Sequence, residues 1–242
     1  MLAQRINIRN TILNSLPPAD FERLRCYLRP VSFKRNSVLE EQSRPVENLG
    51  FIESGLVSLR RNSSMNSVEI ALIDHRGILG VSTLLGMDVA GHQSIAVTSG
   101  TVLSIRVSDL QCAMEAQPDI KSRLFCRVQA LLVHTSQVAL CALSHSVEQR
   151  VSGWLCHASD AFAGMELPVT HEHIATMLGL RRASVTEMLI RYENQGLIAK
   201  TRGALRVRDR DRLRQIACSC CSTIASHSPY VAKPLSSIGS QG

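Results

Sequence analysis

The chain has 242 residues and a formal net charge of +7. Hydrophobic residues make up 45% and charged residues 19%, the texture of a globular protein, which excludes a chain disordered throughout. The length fits one large domain or two modest ones, and the positive balance suits a polyanion without proving one.

Arg5 and Arg9 interrupt the stretch where a secretory signal would need an apolar core. The richest apolar stretch, residues 128–143, contains His134, Thr135, Ser136 and Gln137. The expectation is a cytoplasmic protein with no membrane partner, whose eight cysteines are thiols. Residues 11–29 read as a helical lead-in, with Pro17, Pro18 and Asp20 as the start signal of a helix over 21–28. From 30 to 107, short apolar runs at 38–39, 49–52, 56–59, 68–73, 95–98 and 102–107 alternate with turn residues, which predicts a sandwich or small barrel.

At Ser108 the period turns helical, and Pro118 and Asp119 open a long helix. Along it Leu124, Val128, Leu131, Thr135, Val138 and Ala142 recur at spacings of four and three. That heptad-like seam predicts pairing with a second copy, the alternative being a helix packed on its own domain. A helix over 147–161 carries Val151, Trp154, Leu155 and Ala158 on one face. Beyond Cys221 the residues are small and polar and read as a tail.

Residues 168–210 carry the functional signal. Pro168 precedes a helix capped by Thr170, with Glu172 in its first turn and Ile174, Met177 and Leu178 as its buried stripe. Gly179 supplies the left-handed turn into a second helix starting at Arg182. There Val185, Leu189 and Tyr192 point inward, Ala183, Glu187 and Ile190 outward, and Ser184, Thr186 and Arg191 lie at the flanks. This is a helix-turn-helix whose second helix would enter a major groove of duplex DNA. Arg181 and Arg182 oppose the helix dipole at ~0.3–1 kcal/mol each, and no capping side chain precedes them. A DNA phosphate would offset both defects, and an arginine can read guanine. Two short apolar runs then flank Thr201-Arg202-Gly203-Ala204, which reads as a β-hairpin wing. The wing belongs to a basic run, Lys200, Arg202, Arg206, Arg208, Arg210, Arg212 and Arg214, opposed only by Asp209 and Asp211. Lys200 and Arg202 are the expected phosphate grips.

This order of parts resembles the Crp/Fnr superfamily over roughly residues 15–222, most closely at His145-Ser146-Val147-Glu148-Gln149-Arg150, Trp154-Leu155 and residues 167–198. The resemblance implies an α+β fold. A β-roll sensor of the cyclic-nucleotide-binding jelly-roll kind would span 1–117 and a dimerisation helix 118–143. A winged helix-turn-helix would span 144–222 and a flexible tail 223–242. It further implies a homodimer that regulates transcription from a pseudo-palindromic operator, with RNA polymerase as a further partner. The family's base-contacting positions are occupied by Arg182, Ala183 and Glu187. Only Arg182 keeps the cyclic-AMP receptor's residue, so the operator should differ. Ser184 and His171 fall at phosphate-contacting positions.

The sensor departs from the cyclic-nucleotide pattern. The Gly-Glu-Leu turn is Gly80-Val81-Ser82 here, and the position of the phosphate-pairing arginine falls at His92-Gln93-Ser94. Gly80, Val81, Ser82, Gln93 and Ser94 are thus the expected effector pocket, for a small molecule of unidentified class. With neither charged anchor present, a buried cyclic phosphate is disfavoured. Cys26 stands alone in the first hundred residues, which argues against an N-terminal iron–sulfur cluster.

Cys218, Cys220 and Cys221, with His227 nearby, lack the spacing of a zinc knuckle. Cys141 and His145, four apart on a helix, read as packing. No metal or cofactor is therefore assigned. No nucleophile elbow, phosphate loop or paired-histidine zinc motif occurs, so an enzyme is not expected. The alternatives are a ligand-binding module acting on a protein partner, suggested by Glu187 on the outer face, and a cysteine-based redox or metal sensor.

Overall fold

The computed structural model describes residues 8–64, 67–162, 166–201 and 203–227. At its start Asn10 accepts hydrogen bonds from the N–H groups of Ile12 and Leu13 and so caps α1 (Thr11–Ser15). The amide of Asn10 also donates to the carbonyls of Ile52 and Gly77, tying this lead-in to the sensor. The next helix, α2 (Pro18–Arg25), opens at Pro18 rather than Phe21, because proline's fixed φ and missing N–H suit the first helical position.

Among the described residues, eight strands and a one-turn helix build the N-terminal β-rich unit, the expected sensor: β1 (Arg29–Phe33), β2 (Val38–Glu40), β3 (Asn48–Ser54), β4 (Val57–Asn62), β5 (Ser67–Ile73), β6 (Ile78–Leu79), α3 (Val81–Leu84), β7 (Gln93–Ala96) and β8 (Gly100–Arg106). They form two antiparallel four-stranded sheets, β1-β8-β3-β6 and β2-β7-β4-β5. Phe33, Ile52, Val57, Leu59, Ile73 and Val102 pack between them. Every apolar run expected to form a strand overlaps one. Strand β1 lies outside those runs, because it contains Pro30 and is exposed except at Phe33. Proline is tolerated there because β1 is an edge strand, paired among the described residues with β8 alone.

The remainder comprises α4 (Val107–Ala116), α5 (Pro118–Ser144), α6 (Val147–Ala161), α7 (His171–Leu178), α8 (Arg182–Asn194), β9 (Ile198–Thr201), β10 (Ala204–Val207), α9 (Arg210–Ile216) and α10 (Ser219–His227). Helix α10 corrects the reading of residues from 223 onward as a tail, since its backbone runs to His227. The rest of that stretch, 228–242, lies outside the described residues, as does the side chain of His227.

The seam on α5 also needs correction. Leu124 and Val128 are 1% and 8% exposed, packed with Leu49, Phe51 and Leu110 of their own sensor, and Leu131 leans on the same core. Val138 and Ala142 line a cavity shared with α6 and α10, and the Thr135 hydroxyl donates back to the Leu132 carbonyl. The apolar stripe left open lies one residue further round: Phe125, Leu132, Leu140 and Leu143, with the exposed Gln129, Ser136 and Ala139 between. Periodicity finds an apolar face, but this helix has two, and only packing decides which faces inward. By length and composition alone α5 is also apolar enough to cross a membrane.

The β-rich unit and the helical unit share a core. Leu56, Leu72 and Val97 of the sensor lie in one cluster with Val151, Trp154, Ile174, Leu189 and Tyr192. Beside it runs a polar seam in which Arg76 is paired to the buried Asp74 across 2.5 Å, and the rings of His134 and His157 approach to 5.4 Å.

Candidate nucleic-acid interface

Helices α7 and α8 form the expected helix-turn-helix. The Thr170 hydroxyl accepts from the His173 N–H at 3.2 Å, capping α7. Gly179 ends it at φ 59°, in the left-handed region, and the Leu180 N–H returns to the Ala175 carbonyl. Helix α8 starts at Arg182, with Arg181 at the N-cap in extended conformation and no side-chain cap. Its first N–H groups therefore face outward without an internal acceptor.

The inner face of α8 is held rigidly. Val185, Leu189 and Tyr192 are fully buried, and Met188, which the helical spacing did not single out, joins them. The Tyr192 hydroxyl bonds to the Glu148 carbonyl at 2.9 Å and to Ser152 Oγ at 2.6 Å, so α8 is pinned to α6. The outer face presents Arg181, Arg182, Ala183, Glu187, Ile190 and Arg191 to solvent, with Ser184 and Thr186 half-buried at the edges. The wing follows directly. Strands β9 and β10 pair in register from Ala204–Thr201 to Val207–Ile198, and Gly203 turns at φ 81°. Leu205 pairs with Leu167 and fixes the hairpin to the helical body.

The charges divide into held and free. Arg182 lies 3.6 Å from Glu172, but both side chains are about two-thirds exposed, so the pair is weak and Arg182 can leave it. Arg191 reaches Glu148 at 3.3 Å, and Lys200 reaches Glu193 at 2.9 Å. Lys200 thus stands on the wing with a carboxylate already beside it. Arg210 is corrected from a member of the free basic run to a strut, since it grips Asp160 through two bonds of 2.5 and 2.7 Å. Arg206, Arg208, Arg212 and Arg214 are exposed, and Arg202 lies outside the described residues. His171 meets Thr186 at 3.0 Å. Its pKa is held below the ordinary value by partial burial and by Lys200 and Arg182. Neutral imidazole is thus favoured at the base of this cationic surface. His173 meets Arg35 of the sensor at 2.7 Å, linking α7 to the β1–β2 turn.

In the sensor the expected pocket residues part company. Gly80 and Ser94 come together, but around Glu40, a residue the sequence reading passed over. Its carboxylate accepts from the Gly80 N–H at 2.7 Å and from the Ser94 hydroxyl. Burial pushes the Glu40 pKa up, against those two bonds. Val81 turns into the core, Ser82 Oγ accepts from the Gly91 N–H, and Gln93 pairs with Glu41 and Asn62. In the sequence Glu40 simply follows the short run 38–39 and precedes Glu41 and Gln42, so nothing local sets it apart. Near the far end of α5, Cys141 and His145 meet Cys218 and Cys220, a grouping that could hold a metal ion.

Residues 30–117 match the cyclic nucleotide-binding domain family, and residues 149–216 match the Crp-like helix-turn-helix domain family. The chain is similar to the global nitrogen regulator of Synechocystis sp., 22% identical over 214 residues, covering 81% of this chain and 93% of that one. A protein of the same name from Nostoc sp. is 21% identical over 168 residues, covering 65% and 75%. Among solved structures, FixK2 from Bradyrhizobium japonicum shares the fold at a TM-score of 0.68 and 18% identity, covering 79% of this chain and 98% of that one. A sensor of the cyclic-nucleotide kind joined by one long helix to a Crp-like helix-turn-helix places this chain in the Crp/Fnr superfamily of DNA-binding transcription regulators.

Proposed function

We propose that the protein acts as a homodimer that reads two operator half-sites, with α8 in the major groove and the wing on the flanking backbone. The observation that carries this reading is the outer face of α8. Its uncapped N-terminus, Arg181 and Arg182 stand beside a basic hairpin, on a helix whose inner face is locked by Tyr192. Arg182, Ala183 and Glu187 would meet base edges. Thr170, His171, Ser184, Thr186, Arg191 and Lys200 would meet or border phosphates. The two copies would pair along Phe125, Leu132, Leu140 and Leu143, which supplies an apolar stripe of the required length.

On this reading the protein is a cytoplasmic regulator without catalysis, and RNA polymerase is the partner its DNA-bound form would meet. Its effector is not a cyclic nucleotide, because the Glu40 carboxyl already occupies the Gly80 and Ser94 donors and would leave a buried phosphate without partners. Footprinting of the purified protein tests the arrangement. Two protected half-sites about one helical turn apart, from a protein sedimenting as a dimer, are expected. One unpaired half-site bound by a monomer overturns it.

A further inference from the structure

Cys141 lies in the last turn of α5, and His145, four residues on, returns its backbone N–H to the Cys141 carbonyl. His145 is the C-cap of α5 in extended conformation, and Ser146 after it caps α6, so both lie at the hinge into the DNA-binding unit. Opposite them, Cys218 directly follows the C-cap of α9, and Cys220 sits in the first turn of α10. Sγ of Cys141 is 3.5 Å from Sγ of Cys218, which lies 77 residues further along the chain. Sγ of Cys220 is 3.7 Å from Nδ1 of His145. All four ligand atoms lie within 4.8 Å of one another, the two distal cysteines buried and the hinge pair half-buried.

Three soft sulfurs and one imidazole nitrogen are a donor set of structural zinc. Zinc–sulfur bonds of about 2.3 Å place tetrahedral ligands about 3.8 Å apart, near the 3.5 Å of the Cys141–Cys218 pair and the 3.7 Å of the Cys220–His145 pair. A polynuclear iron–sulfur cluster holds its thiolates further from one another. We propose that each chain binds one zinc-class divalent cation through Cys141, His145, Cys218 and Cys220, clamping the end of α5 to α10. The neighbouring Cys221 is not part of the site: its thiol donates to the Gly153 carbonyl at 3.8 Å and lies beside Cys156. The ligands come from the two ends of the DNA-binding unit, so the cation fixes how that unit leaves the dimerisation helix. The assignment of the site itself does not depend on DNA binding.

The test uses full-length protein, purified reduced and loaded anaerobically with zinc or with cobalt as a spectroscopic probe. One metal per chain is expected, with the thiolate charge-transfer and visible bands of tetrahedral cobalt. Cys141→Ser and Cys220→Ser should each lower metal affinity at least about tenfold, with circular dichroism showing that each variant is folded. Cys221→Ser should bind like the parent. His145→Cys, which offers a fourth thiolate, should keep the metal and shift the cobalt bands, a response a packing role would not give. Substoichiometric metal in folded, reduced parent protein overturns the proposal. So does a cobalt spectrum unchanged by Cys220→Ser or abolished by Cys221→Ser.

Discussion

The indole N–H of Trp154 donates to Oε1 of Glu69 across 3.2 Å, joining α6 of the DNA-binding unit to β5 of the sensor. Both side chains are buried. Burial pushes the Glu69 pKa up to about 7, and Ser58, Arg60 and Trp154 offset this only in part. Its carboxyl therefore holds its proton in the folded chain at pH values where the unfolded chain has released it. Stability should fall as pH rises from about 4.5 to about 7 and level off above, by on the order of 3 kcal/mol. Glu69→Gln should remove that slope. Urea unfolding of both proteins at pH 5 and pH 8 checks this, and parallel pH dependences would contradict it.

The open stripe on α5 makes a separate prediction. Leu132 and Leu143 are 57% and 89% exposed, and neither supports the sensor core. Leu132→Glu with Leu143→Glu should split the dimer at micromolar concentration without lowering the melting temperature of the monomer. Sedimentation equilibrium measures the first and calorimetry the second. Leu124→Ala should instead unfold the sensor, costing about 2–5 kcal/mol, because its side chain fills that core.

Base reading and backbone gripping should separate by mutation. Arg182→Ala should lose about 1–3 kcal/mol of discrimination at one operator position. Lys200→Ala should weaken all sequences alike and lower the salt slope by about one, a modest effect because Glu193 already shares its charge. Binding to single-base operator variants at several salt concentrations distinguishes the two. Uniform losses from both substitutions would remove the distinction.

The Glu40 carboxyl already takes up the Gly80 N–H and the Ser94 hydroxyl, donors that a cyclic phosphate would need. Millimolar cyclic AMP should leave the melting temperature unchanged. A concentration-dependent rise, as ligand binding to the folded state produces, would contradict the assignment.

The parts of this molecule that follow from local chemistry were readable in the sequence. Thr170 and Gly179 bounded the first helix of the helix-turn-helix, and the spacing of Val185, Leu189 and Tyr192 gave the inner face of the second. What was not readable depends on distant contacts. Leu124 and Phe125 lie on two apolar faces of one helix, and only the sensor core separates their roles. Glu40 acts through Gly80 and Ser94, 40 and 54 residues away. Cys141 and His145 looked like packing because their partners, Cys218 and Cys220, lie 77 and 75 residues further along the chain. The basic run likewise hid Arg210, whose charge is taken up by Asp160.

Selection of duplexes from a random pool bears most directly on α8 and the wing as a sequence reader. The recovered sequences should converge on an inverted repeat bound at least about a thousandfold more tightly than random duplex at physiological salt. A pool that stays random, with affinity that disappears as salt is raised, would mean that Arg181, Arg182 and the hairpin do no more than attract polyanions.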